Sequence, residues 1–163
     1  MSIQANQKYL IGEHEYSHED LALLSVAVAT EKKCVRPVIL DLRNLSSAFT
    51  ELFTIVSAAN NRQVYAVAEE IRMFFKTAFG LNPVAVDGME TCTWVLIDYG
   101  FMFVHIFQEP TRDLYQLEQL WSKARNISAT EEIYEPLYKA TVDSLAAVKK
   151  TDEVHLYNSL ENS

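Results

Sequence analysis

The residues of this sequence best suited to chemistry are carboxylates, and their spacing does not match a phosphoryl-transfer centre. Such a centre needs two carboxylates two residues apart on a strand, which hold magnesium against the phosphates, and a loop of glycine and serine that holds the nucleotide. Asp41 and Asp98 each stand alone in an apolar run, and the chain has only four glycines. The carboxylates therefore do not predict a catalytic site.

The histidines and cysteines show no ligand or nucleophile spacing either. His105 lies inside an apolar, strand-like run, which favours a hydrogen-bonded structural histidine over a metal ligand or a general base. Cys34 and Cys92 lack CxxC spacing, and we expect both to be buried thiols. The other histidines lie in polar surroundings: His14, His18 and His155. We therefore expect no catalytic residue, no metal and no bound cofactor.

Composition limits the kind of partner that this chain can bind. Its 163 residues fit one domain, and 49% hydrophobic with 22% charged residues is ordinary for a folded soluble protein. The formal net charge of −8 argues against direct binding to nucleic-acid phosphates and favours a basic protein partner. No run is long and apolar enough to span a bilayer, and residues 1–15 do not resemble a signal peptide. The expected location is the cytoplasm.

The stretch from residue 91 to residue 124 carries the clearest structural pattern. Two β-rich runs flank residues 98–100, where Gly100 accepts a positive φ without steric cost, so the pattern predicts a β-hairpin. The period then changes from strand to helix, which predicts a third helix over residues 114–121. We expect Trp121 to extend the apolar stripe of this helix and to join the core.

The rest of the chain predicts further helices and strands. Ser17 with Asp20 predicts the capped start of a first helix. Residues 58–61 and Gly80 predict the cap and the end of a long second helix. Strands are predicted at residues 38–42, 52–57 and 83–86. The order α-β-β-α-β-β-β-α predicts an α/β or α+β fold, with a mixed sheet of about five strands packed with helices.

The termini differ in pattern from the middle of the chain. Residues 1–16 carry no apolar period and are predicted to form a flexible arm. The folded domain is expected to span residues 17–125. Residues 126–163 are predicted to form a C-terminal helical extension that begins at a capping box, Ser128 to Glu131. Three lysines against seven acidic residues there favour a solvated appendage with a frayed end.

Strand alternation divides the side chains of the hairpin between two faces. It places Trp94 and Asp98 on one face and Ile97 and Tyr99 on the other. One face must cover helices, and the other is open to a partner. Tryptophan and tyrosine often dominate binding energy because they bury a large area with few rotatable bonds. Composition alone favours core packing for Trp94, so both interpretations stay open at this point.

Several motifs of the chain resemble those of the ribosomal silencing factor S family, also called the Iojap family. The resemblance extends over about residues 19 to 124. Its motifs are Val38-Ile39-Leu40-Asp41-Leu42-Arg43, Arg62-Gln63-Val64, Trp94-Val95-Leu96-Ile97-Asp98-Tyr99-Gly100, Val104-His105-Ile106-Phe107, and Arg112 with Tyr115-Gln116-Leu117-Glu118-Gln119-Leu120-Trp121.

The resemblance implies a fold, a partner and a mechanism. It implies a nucleotidyltransferase-like topology and a homodimer in isolation. It implies that Trp94 and Tyr99 dock on the fourteenth protein of the large ribosomal subunit, with Asp98 and Glu90 facing basic side chains. Occupancy of that surface would block joining of the small subunit and repress translation, while relatives in organelles assist large-subunit assembly. A divergent nucleotidyltransferase-like enzyme is the alternative.

Overall fold

The computed structural model describes the backbone of residues 7–161, and the side chains of these residues except 153–159 and 161. The elements in chain order are β1 Tyr9–Ile11, β2 His14–Tyr16, α1 His18–Glu31, β3 Val35–Asp41, β4 Leu52–Ala58, α2 Asn61–Phe79, β5 Ala85–Asp87, β6 Trp94–Asp98, β7 Met102–Gln108, α3 Glu109–Tyr115, α4 Leu117–Leu120, β8 Arg125–Ile127 and α5 Glu131–Glu161. None of these helices is long and apolar enough to cross a membrane, within the residues described.

A six-stranded mixed sheet lies at the centre of the fold, in the order β5-β6-β7-β4-β3-β8. Only β4 and β7 run parallel, and the other neighbours are antiparallel. The hairpin predicted around Gly100 is confirmed as β6 and β7, with Trp94 opposite Phe107 and Asp98 opposite Phe103. The predicted mixed α/β sheet is therefore confirmed, with one strand more than expected.

The two faces of the sheet are covered unequally. Helices α1 and α2 pack on one face, and α5 packs on the outer side of α1. The other face holds a second, smaller core, which α4 and the loop after β3 cover only in part. This second core contains Leu40, Leu42, Phe53, Ile55, Phe107, Leu117 and Ala124. The uneven covering leaves part of the sheet near β6 accessible.

The predicted helix caps are confirmed. Ser17 accepts a hydrogen bond from the backbone N–H of Asp20, whose carboxylate accepts from the backbone N–H of Ser17 in return. Asn60 caps α2 through the N–H of Gln63, and Gly80 ends α2 in the left-handed conformation with a φ of 62°. These caps satisfy backbone donors and acceptors that the helix ends would otherwise leave unpaired.

The prediction of a flexible arm is wrong for residues 9–16, because β1 and β2 form a two-stranded hairpin. Tyr9, Ile11 and Tyr16 are buried, and the hydroxyl of Tyr16 is hydrogen-bonded to that of Thr141 on α5 at 2.9 Å. Three-residue strands are too short to display a period, so the sequence pattern missed them. The part of the predicted arm at residues 1–6 lies outside the described residues.

The prediction of a solvated C-terminal appendage is wrong for the face of α5 that packs on α1. Tyr134 and Thr141 are buried, and the hydroxyl of Tyr138 donates a hydrogen bond to Glu31 of α1 at 2.7 Å. The helix begins at Glu131 and continues to Glu161, where fraying was expected. The expected boundary between residues 125 and 126 falls within β8, which pairs with β3.

The predicted third helix is two short helices. Helix α3 ends at Tyr115 and α4 begins at Leu117, because Gln116 between them has a left-handed φ of 49°. The apolar stripe expected over residues 114–121 is therefore interrupted, and Leu114 at its start is 77% exposed. Trp121 follows α4 and packs half-buried against the second core, edge-on to Phe53 at 5.7 Å.

Candidate functional site

The partly uncovered region of the sheet centres on β6. Its burial alternates as predicted, with Val95 and Ile97 fully buried against the helices and Trp94, Leu96 and Asp98 half-buried on the other face. We define the open face as the half-buried side chains Trp94, Leu96, Asp98 and Phe103 with the exposed residues Ala85 and Asp87. Ala85 lies opposite Asp98 and Asp87 lies opposite Leu96, so the strand register places all of them on one surface.

Trp94 is the largest side chain of the open face. Its indole stacks on Phe107 with ring centroids 4.7 Å apart and planes 27° apart, and it contacts the ring of Tyr115 at 5.0 Å. The indole Nε1–H donates a hydrogen bond to Nδ1 of His105 at 3.1 Å. Phe107, Tyr115 and His105 thus hold the indole in place, while the rest of its surface remains accessible.

His105 lies under the open face and is 3% exposed. Phe53 packs edge-on against its ring at 4.6 Å. Burial lowers the pKa of the imidazole to about 3, so the ring is neutral and Nδ1 accepts the indole proton. The predicted hydrogen-bonded structural histidine is confirmed. Its Nε2 has no hydrogen-bond partner within the described part of the chain.

The two predicted acidic residues lie toward opposite ends of β6, which runs from Trp94 to Asp98. Asp98 accepts a hydrogen bond from the backbone N–H of Gly100 at 2.7 Å, which fixes the carboxylate at the end of β6. Glu90 is exposed in the loop between β5 and β6. This loop lies against the start of β6, since a Cβ at Gly88 would be 2.1 Å from the Trp94 carbonyl oxygen. Only glycine fits there, and the close approach keeps Glu90 beside the Trp94 end of the face.

Tyr99 is a core residue, so its prediction as a partner-binding residue is wrong for this structure. It is 1% exposed and packs against Phe75 of α2 with ring centroids 5.3 Å apart. Burial raises the pKa of its hydroxyl, which has no hydrogen-bond partner among the described residues. Alternation placed Tyr99 on the same face as Ile97, and in the structure that is the face that the helices cover.

Arg112 lies beside the open face, on the same side of the sheet, and the sequence showed it only as a motif match. It is 2% exposed, and its guanidinium donates to the carbonyl oxygen of Arg36 at 2.6 Å and to Oγ of Ser57 at 2.9 Å. Two further bonds of 3.2 Å join it to the Glu118 carboxylate. These bonds connect α3 and α4 to the sheet across the bend, and so hold Tyr115 against Trp94.

Asp41, the other lone carboxylate, is engaged by arginines. Its side chain is 5% exposed and accepts hydrogen bonds from Arg43 at 2.9 Å and from Arg125 at 2.7 Å. Arg43 also pairs with Glu19 of α1. Hydrogen bonds from Arg43 hold the pKa of the Asp41 carboxyl well below its usual range. Among the described residues, no three or more His, Cys, Asp or Glu side chains form a cluster able to hold a metal ion.

Asp41→Asn is expected to lower the free energy of unfolding at pH 7 by about 1.5 kcal/mol, because two charge-assisted hydrogen bonds lose their anion. The folded pKa lies below the unfolded value of about 3.9, so this contribution is present above pH 4 and is lost as the pH falls through the folded pKa. Urea unfolding of wild type and Asp41→Asn should show that the difference between their free energies of unfolding becomes smaller from pH 7 to pH 3.

The control for that series is Asp113→Asn, which alters an exposed pair with Arg36. We expect a change within about 0.5 kcal/mol, since exposed ion pairs contribute little. A constant difference between wild type and Asp41→Asn down to pH 3 would contradict the assignment of a depressed pKa to Asp41.

Together, these features define a mixed α/β domain whose most distinctive surface is an acidic and aromatic sheet face. The family model described as "Ribosomal silencing factor during starvation", RsfS, matches residues 15–156. The chain belongs to this family of ribosomal silencing factors.

Relatives and solved structures agree with this assignment. The chain is 32% identical over 111 residues to the ribosomal silencing factor RsfS of Halalkalibacterium halodurans, covering 68% of this chain and 93% of the relative. It is 30% identical to the chloroplastic protein Iojap of Zea mays, over 67% of this chain and 49% of that protein. A crystal structure from Chromobacterium violaceum superposes with a TM-score of 0.62 at 29% identity, covering 66% of this chain and 88% of that one.

Proposed function

We propose that this protein binds the large ribosomal subunit and prevents the small subunit from joining it. Membership of the RsfS family supports a role on the ribosome. A mouse relative, 29% identical over 45% of this chain and 33% of its own length, is named mitochondrial assembly of ribosomal large subunit protein 1. That name directs the proposal to the large subunit and adds to it a role in large-subunit assembly.

The observation that carries the proposal is the position of Trp94 on the open face. The indole is half-buried and held by Phe107, Tyr115 and His105, so docking would fix few additional rotors. Preorganised aromatic side chains at the centre of a contact commonly contribute most of its binding energy. Leu96 and Phe103 beside it would extend the apolar area.

The proposed partner on the large subunit is its fourteenth protein, as the family resemblance implies. We expect Asp98 and Glu90 to meet basic side chains at the two ends of the contact, with Asp87 on the edge strand as a third carboxylate. The net charge of −8 supports steering toward a basic protein surface and argues against extensive contact with ribosomal RNA. Tyr99 takes no part in this contact, because it is buried.

The proposed mechanism is steric. The fourteenth protein, on the family's pattern, forms part of the surface where the two subunits meet, so a domain bound there would exclude the small subunit. Occupancy alone then represses translation, without a reacting centre, a metal or a cofactor. We further propose that the protein acts in the cytoplasm and is a homodimer when free. If the dimer interface covers the open face, the dimer must dissociate before a protomer binds the ribosome.

The steric mechanism predicts a dependence on the order of addition. Light scattering of purified large and small subunits should rise less when the protein is added first to the large subunit, because the joining surface is already occupied. Preincubation with the small subunit should have no such effect. Equal inhibition in both orders, or none in either, would contradict the mechanism. Trp94→Ala is the matched control and should leave subunit joining unaffected at the same concentration.

A further inference from the structure

We propose that His105 is a positioning residue for the docking surface: its Nδ1 takes the indole N–H of Trp94 and fixes the indole so that only carbon surface faces the partner. This inference rests on the proposed function for the role of Trp94. It adds to that function a residue beneath the surface that touches no partner, and it specifies the chemistry that a partner meets.

The geometry of the pair follows from the register of β6 and β7. Trp94 lies opposite Phe107, and His105 lies opposite Leu96, so Trp94 and His105 are diagonal neighbours on one face. Stacking on Phe107 sets the plane of the indole, but a stacked ring can still turn within that plane. The 3.1 Å hydrogen bond to His105 is the directional contact that fixes the turn.

The imidazole is itself held firmly, which a positioning residue requires. Its ring lies within 13° of parallel to Phe107, and Phe53 and Phe103 pack against it edge-on. It must be neutral with its proton on Nε2, since a protonated Nδ1 could not accept the indole proton. Burial favours this state by lowering the pKa to about 3.

The unpaired Nε2 of His105 separates the positioning role from simple core filling. A buried N–H without a partner opposes folding, and no described group accepts from this one. A phenylalanine would fill a similar space among the same rings without that cost. What histidine provides there, and phenylalanine does not, is the acceptor at Nδ1.

This arrangement defines what a partner can recognise. The indole N–H is already committed inside the protein, so the partner meets the apolar rings of Trp94 and Phe103 and the apolar chain of Leu96. Polar recognition is left to the carboxylates at the margin, Asp87, Asp98 and Glu90. The docking site on the partner is therefore an apolar depression bordered by basic side chains.

Two substitutions at His105 test the positioning role. His105→Phe removes the acceptor and keeps an aromatic ring, whereas His105→Asn keeps an acceptor near the Nδ1 position. Titrated against purified large ribosomal subunits, His105→Phe should bind about tenfold more weakly than wild type, and His105→Asn should stay within about threefold of it. Thermal unfolding midpoints should not follow this order, because the phenylalanine removes a buried unpaired N–H.

An independent readout reports on the pair without any partner. In ¹⁵N-labelled protein the indole signal absent from Trp94→Phe belongs to Trp94, and its hydrogen exchange should be slow in wild type and in His105→Asn and at least about tenfold faster in His105→Phe. Equal exchange in wild type and His105→Phe would overturn the proposal. The proposal would also be overturned if the affinities of His105→Phe and His105→Asn fell only in proportion to their losses of stability.

The two proposals fail in different ways. If the wild-type chain does not bind large subunits, the proposed function fails, while indole exchange still decides whether His105 positions Trp94. If wild type binds and His105→Phe binds equally well, the proposed function stands and the positioning role fails. If His105→Phe does not fold, His105→Asn decides: rapid indole exchange in that folded variant, with unchanged affinity, would overturn the proposal.

Discussion

Replacing Trp94 by alanine is expected to weaken binding to the large ribosomal subunit by about 2 kcal/mol or more, roughly thirtyfold. The indole is the largest accessible side chain of the open face, and it is held in place before binding. Truncation removes its contact area and leaves a depression over Phe107. Titration of fluorescently labelled protein with purified large subunits measures the change in Kd.

The fold should survive this substitution, because Trp94 is only half-buried and the neighbouring rings remain packed. Far-UV circular dichroism should match wild type. Tyr65→Ala is a matched control, since Tyr65 is a half-exposed aromatic residue on α2, across the sheet from the open face. Its Kd should stay within about twofold of wild type. Unchanged affinity of Trp94→Ala would remove the open face from the proposed contact.

Tyr99→Ala is expected to lower the free energy of unfolding by about 3–5 kcal/mol, as large-to-small changes of buried aromatic residues do. Tyr99 is fully buried and packs against Phe75, so truncation opens a cavity between β6 and α2. Urea unfolding followed by circular dichroism measures the loss. Any reduction in ribosome binding should follow from the fraction of unfolded protein.

Tyr99→Phe separates burial from a role of the hydroxyl in binding. The hydroxyl has no hydrogen-bond partner within the described residues, so its removal should be neutral or slightly stabilising, and affinity should not change. A folded Tyr99→Ala variant with wild-type stability and no affinity for large subunits would contradict the burial of Tyr99 and would indicate that Tyr99 contacts the partner.

Local patterns predicted the parts of the fold that depend on neighbours in sequence. The cap formed by Ser17 and Asp20, the left-handed Gly80 and the hairpin around Gly100 each rest on a backbone requirement that a few residues satisfy. Alternation also predicted which side chains of β6 share a face, because buried and half-buried residues alternate along the strand.

Features that depend on distant contacts were not predictable from these patterns. Strands β1, β2 and β8 are three residues long and gain their order from partners far along the chain, such as Thr141 for Tyr16 and Asp41 for Arg125. The packing of α5 on α1 was hidden because its buried residues are widely spaced among charged ones. Tertiary burial decides these segments, and no local pattern encodes it.

The candidate site was predictable in part. Trp94, Asp98 and Glu90 lie where a partner could reach them, although their binding role is still a proposal. Family resemblance assigned Trp94 and Tyr99 to one docking surface although alternation places them on opposite faces, and Tyr99 is buried on the face opposite Trp94. The hydrogen bond from Trp94 to His105 joins two neighbouring strands. Predicting it therefore requires the register of the hairpin, which residue spacing alone does not give.

Sedimentation of the purified protein with isolated large ribosomal subunits decides whether the open face docks on the ribosome. We expect the protein to migrate with the large subunit through a sucrose gradient and not with the small subunit, and we expect Trp94→Ala to remain at the top. Wild-type protein found only at the top of the gradient, at concentrations where it is folded, would contradict the claim that the open face docks on the ribosome.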